Sequence, residues 1–183
     1  SVNPAREVKI VLPRANEPVV LTPHQCEKLL RAAQAHLGGI AVPHLAIGLF
    51  GGLRRAEIER LRIEQINLED REIRVAANQS KTERSRVVEM NDTLHAWMKW
   101  CEKRKLTRFR VRSADMEAVR RMADFADWPA NCIRHTAISV RARTTGSFVD
   151  TAVWAGNSEP VIRKHYWGQM SSKDAEAILS IMP

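Results

Sequence analysis

The chain has 183 residues, 44% of them apolar and 27% charged, with a formal net charge of +8 and an isoelectric point near 9.9. That length suits one domain with a substantial core, and no apolar run approaches the ~18 residues a membrane span needs, so the composition argues against a membrane protein and against a disordered chain. The excess of base favours a polyanionic partner through counterion release and steering, a preference that many basic proteins nevertheless leave unused.

Cys26, Cys101 and Cys132 are odd in number, widely separated and outside any metal-ligand spacing, which points to packing roles in a reducing cytoplasm; no metal site and no cofactor is expected. The N-terminus lacks the features of a signal peptide and a starting methionine, so the chain reads as an excised fragment. Residues 1–21 carry Pro4, Pro13 and Pro18 and read as an extended linker or edge strand.

Thr22-Pro23-His24-Gln25 predicts a helix start, with threonine at the cap, proline at the first helical position and glutamine three residues after the cap. Cys26, Leu29, Leu30 and Ala33 give that helix one apolar face, and Gly38-Gly39 ends it. A second helix is expected from about Pro43 to Gly51, and a third from Arg54 or just after it, with Ile58 and Leu61 inward. The period then changes: residues 73–75 and 86–90 read as two short strands joined through a polar turn containing Lys81. Asn91-Asp92-Thr93 caps a further helix with Leu94 and Trp97 inward. Residues 103–112 hold six lysines or arginines, a solvated loop or a DNA-backbone contact. Helices follow near 114–126, 131–142, 148–154 and 159–165, and a last one from Ser171 or Ser172 carries Ala175, Ile178, Leu179 and Ile181 as its apolar stripe. The expected fold is mainly α with a small antiparallel sheet.

Four groups stand out in order along this frame: Arg54 in Gly-Leu-Arg-Arg-Ala-Glu, Lys81, Arg134 in Ile-Arg-His-Thr, and Tyr166, the chain's single tyrosine. Guanidinium forks grip phosphate oxygens bidentately and stay charged at physiological pH, while a phenol becomes a nucleophile where neighbouring cations stabilise its oxyanion. Each also has a plain structural reading. Arg54 and Glu57 suit an exposed i, i+3 ion pair, Lys103 and Lys105 are chemically equal to Lys81, Arg134 suits a solvated helix face, and Tyr166 suits a core aromatic.

Taken together, the motif Gly51-Gly52-Leu53-Arg54-Arg55-Ala56-Glu57, the hairpin Lys81, the motif Asn131-Cys132-Ile133-Arg134-His135-Thr136, and Ala155-Gly156-Asn157-Ser158 ahead of Tyr166 resemble the tyrosine recombinases, or phage-type integrases, from about Leu21 to Gly168. The resemblance implies a catalytic domain over residues 21–170, a linker remnant over 1–20, and a C-terminal helix over 171–183 that protomers exchange or that folds back on its own domain. It implies double-stranded DNA as partner, a homotetramer on DNA and a monomer in isolation. A separate N-terminal domain would complete the clamp, so affinity without it should be modest and salt-dependent.

By the same resemblance Tyr166 attacks a phosphodiester, Arg54 and Arg134 hold the phosphate, Lys81 protonates the leaving 5′ oxygen, and Asn131 and Asn157 fill the remaining positions. The last two depart from the family, which usually has histidine at the first and histidine or tryptophan at the second. Asparagine donates a hydrogen bond to phosphate but takes no proton at neutral pH. His135 and His165 are the nearest substitutes in sequence, and for both the expected role is packing or a surface position. A non-catalytic DNA-binding protein derived from the same fold is the alternative.

Overall fold

The computed structural model describes residues 18–79 and 85–183. Helix α1 (Pro23–Ala35) starts with a reciprocal cap: the Thr22 hydroxyl accepts from the Gln25 N–H at 3.2 Å, and the Gln25 carboxamide accepts from the Thr22 N–H at 2.9 Å. Its apolar face, with Cys26, Leu29, Leu30 and Ala33, is fully buried. A 3-10 turn (His36–Gly39) leads into α2 (Val42–Gly51). Every residue of α2 is buried, as a helix apolar all round but for His44 should be, and it packs against α1, α4 (Asp92–Lys103) and α6 (Cys132–Thr145) as the core's central rod.

After α2 the chain turns through Gly52, in the left-handed region at φ 61°, and enters the short α3 (Arg55–Arg60). The ring of Trp154 lies where a β-carbon on Gly52 would project, so both the backbone and the space demand glycine.

Three strands follow rather than the expected two. β1 (Ile66–Asn67), β2 (Glu72–Val75) and β3 (Arg86–Glu89) form an antiparallel sheet in that order, with Ile73 opposite Val88. Ile73, Val75 and Val88 are buried, giving the sheet one core face. The link from β2 to β3 carries Lys81, which lies outside the described residues.

Helix α4 is capped by Asn91, whose side chain accepts from the Leu94 N–H at 2.8 Å. α5 (Ser113–Met122) ends earlier than expected because Asp124, at φ 63°, takes the chain out of the helical region. α6 begins one residue later than expected, since Asn131 itself is left-handed at φ 57°, and runs on to Thr145. α7 (Phe148–Ala155) and α8 (Glu159–His165) match the expected segments, and α9 (Ser172–Leu179) is capped by Ser171. α9 packs on α6 and α1 of its own chain, and the Trp97 indole N–H donates to the Ile181 carbonyl at 2.7 Å beyond its end.

Candidate active site

Arg54 is the residue before the first turn of α3, in extended conformation, so its carbonyl starts the helix while its N–H faces outward from it. Glu57 reaches back and accepts that N–H at 2.8 Å and the Arg54 guanidinium at 3.1 Å. Glu57 is 1% exposed, a costly place for a carboxylate unless it is paired. Its main partner is one the sequence reading missed: Arg86 of β3, which donates at 3.0 and 2.8 Å to the two carboxylate oxygens in a fork. Burial pushes the Glu57 carboxyl up, but the Arg86 fork, the Arg54 N–H and both guanidinium charges outweigh it and hold it below the usual carboxylate range. A signal existed, because Arg86 shares a strand face with the buried Val88, and an arginine on a core face requires a buried acid.

The rest of the Arg54 fork points to the end of α7. Its Nη2 donates to the Gly156 carbonyl at 2.8 Å and to the Asn157 carboxamide oxygen at 3.1 Å. Gly156 is left-handed at φ 62°, which turns the chain off α7, and a β-carbon there would sit 3.3 Å from the Arg86 guanidinium. Arg134, on the first turn of α6, reaches the same place: its Nη1 donates to the Gly52 carbonyl, its Nη2 to the Ala155 carbonyl at 2.7 Å and to the Asn157 oxygen at 3.4 Å. Burial, then the Arg54 charge, push the Arg134 guanidinium down to about 10, which still leaves it cationic at neutral pH.

Asn157 is therefore a bridge. One carboxamide oxygen accepts from both arginines, which leaves its NH2 group as a donor for a third party. Three guanidiniums against the one carboxylate of Glu57 make the spot strongly positive.

Tyr166 follows α8 and is 6% exposed. Burial raises its phenol above the ordinary tyrosine range, and the charges of Arg134 and Arg54 oppose that rise. Its hydroxyl lies 2.9 Å from Nδ1 of His135, with the two ring centroids 5.7 Å apart. His135, expected to pack or to sit at the surface, is half-buried, and although adjacent helix residues point apart, the Tyr166 hydroxyl just beyond α8 reaches its ring. His165 is half-buried near the same pair, and its charge would act on His135.

Asn131 is exposed and caps nothing with its side chain. It lines a cavity of about 380 Å³ together with Arg134, Arg55, His44 and Trp128. Lys81 lies outside the described residues. Lys103 ends α4, and Lys105 lines a separate surface cleft with Leu106 and Arg108.

The same architecture occurs in solved structures. XerA recombinase superposes with a TM-score of 0.66 at 15% identity, over 87% of this chain and 63% of that one. The integrase of transposon Tn1549, in complex with a circular intermediate DNA, gives 0.62 at 19% identity, over 91% and 67%. The catalytic domain of bacteriophage HP1 integrase gives 0.60 at 21% identity, over 80% and 86%. The fold is that of tyrosine recombinase catalytic domains. Residues 19–137 match the Phage integrase family, and the chain belongs to it. That match holds both arginine motifs and ends short of Asn157 and Tyr166. No curated protein matches the chain. Among the described residues no helix is long and apolar enough to cross a membrane.

Proposed function

We propose that the chain is the catalytic domain of a site-specific DNA recombinase that cuts and rejoins strands through a 3′-phosphotyrosyl link on Tyr166. The observation that supports it is the convergence of three separated segments, with Arg54, Arg134 and Asn157 tied together and both guanidiniums acting on the Tyr166 hydroxyl.

In this reading the Tyr166 oxygen attacks a scissile phosphate, the 5′ oxygen leaves, and the tyrosyl ester keeps the bond energy for rejoining to another strand. Arg54 and Arg134 hold the non-bridging oxygens through the five-coordinate transition state, an oxyanion-hole role in which loss of one donor costs about 2.7–4 kcal/mol. The Asn157 NH2 group adds a neutral donor where the family has an aromatic one. Lys81 protonates the leaving oxygen. Asn131 contributes at most a hydrogen bond, since an amide takes no proton. On DNA the protomers assemble as a homotetramer in which α9 passes to a neighbour, and the isolated domain is a monomer with α9 in place on its own core.

The test is incubation with nicked duplexes tiled across the DNA flanking the chain's own gene, followed by denaturing electrophoresis. A protein-linked DNA band that Tyr166→Phe abolishes is the expected result. The exposed, uncapped Asn131 favours one other reading, a DNA-binding protein that has lost catalysis. Binding in a mobility-shift assay with no covalent band would establish that reading instead.

A further inference from the structure

We infer that His135 is the proton acceptor for Tyr166, a role that rests on the recombinase reading above. The geometry carries it. Nδ1 of His135 and the Tyr166 hydroxyl are 2.9 Å apart, within the 2.6–3.2 Å reach that a general base requires before any substrate arrives. The contact joins residues 31 apart in sequence and places the base on the residue next to Arg134, so base and phosphate ligand leave the same turn of α6. For Nδ1 to accept, the neutral ring must carry its proton on Nε2.

The groups that act on His135 keep its imidazole neutral, and so free to accept, while lowering its proton affinity; the cations that act on the phenol offset this by favouring the phenolate. Burial first, then the charge of Arg134 on α6 itself and of His165 on α8, hold His135 below the ordinary histidine range. Arg54, from the start of α3, acts with Arg134 on the phenol side. Among the described residues no carboxylate is found acting on either ring.

In the step itself the phenol O–H proton passes to Nδ1, the freed oxygen pair forms the O–P bond, and the P–O5′ bond breaks with its electron pair on the 5′ oxygen. That oxygen takes its proton from Lys81. In rejoining, a 5′ hydroxyl attacks, its proton returns to Lys81, the tyrosyl oxygen leaves, and the His135 imidazolium returns its proton to it. Protons and electron pairs balance in both directions with no further reactant.

The experiment measures single-turnover cleavage by the full chain from pH 5 to 8 on duplexes with an ordinary 5′ oxygen and with a bridging 5′ sulfur at the cut site. A sulfur leaving group needs no acid, so a defect that persists on it belongs to nucleophile activation. His135→Asn keeps an oxygen near the Nδ1 position to accept the phenol hydrogen bond but takes no proton. The expected result is a rate about 10²–10⁴-fold lower on both substrates, with loss of the fall in rate seen below neutral pH. His135→Ala is expected to regain activity with added imidazole. Cleavage by His135→Asn at or above the wild-type rate, with an unchanged pH profile, would overturn the role and leave the contact as packing. Absence of any covalent product from the wild type would instead remove the recombinase reading, whereas imidazole nitrogen NMR still reports whether His135 holds the Nε2–H tautomer and changes in Tyr166→Phe.

Discussion

Removing Arg86 would strand the Glu57 carboxylate at 1% exposure with Arg54 as its remaining partner. Breaking a buried ion pair from one side costs about 3–5 kcal/mol, because the other charge stays buried. Arg86→Met is therefore expected to lower the unfolding free energy by about that amount in urea, and Glu57→Gln on the same background to recover part of it, since the buried charge is gone. An Arg86→Met variant within about 0.5 kcal/mol of wild type would mean that water reaches Glu57 in solution. Arg54, Arg134, Asn157 and Tyr166 could be picked out of the sequence because each lies in a short motif whose neighbours identify it. The pairing of Arg86 with Glu57 and of His135 with Tyr166 could not, although both basic residues stand in view. Their partners are 29 and 31 residues away, and those contacts exist through the way β3 meets α3 and α8 meets α6.

Helix starts were the most legible elements, because the cap that begins a helix is written locally: Thr22 with Gln25, Asn91 and Ser171 all cap where the sequence places a start. β1 was not legible, since two residues carry no periodicity, and it forms because β2 offers it an edge. The early stop of α5 depends on a left-handed Asp124, which composition does not announce. α9 shows what tertiary packing adds to a short helix. Eight residues are marginal alone, and Ala175 and Ile178 are fully buried against the domain. Ile178→Ala is expected to reduce stability by about 2–5 kcal/mol in urea denaturation. A loss under about 1 kcal/mol would show that α9 comes away before the rest of the domain unfolds.

At the scale of the whole molecule, pH should act through two histidines. His44 is held below the ordinary range by burial, although its ring nitrogen bonds the Phe109 carbonyl at 2.8 Å, and His135 is lowered chiefly by burial too. Both pKa values are lower folded than unfolded, so below about pH 6.5 the unfolded chain binds more protons and stability falls as pH falls, levelling off beneath the folded values. Melting temperature is expected to be flat from pH 8 to 7 and to decline toward pH 5, and a His135→Asn variant should decline less. The net charge was visible from composition, but its distribution was not. In the basic run Phe109 and Val111 are buried between exposed Arg108, Arg110 and Arg112. Arg104 lies over the Trp100 ring and Arg112 pairs with Asp115, so part of that charge is committed within the chain.

The anchoring of Arg54 and Arg134 on the oxygens of Gly52, Ala155, Gly156 and Asn157 has a thermodynamic corollary. An arginine side chain loses up to about 2 kcal/mol of rotamer freedom when it is fixed. Here both are fixed during folding, with no nucleic acid present. In the recombinase reading proposed above, an incoming phosphate would meet two forks whose ordering has already been incurred, and its encounter with them should carry a smaller entropic penalty than one with mobile surface arginines.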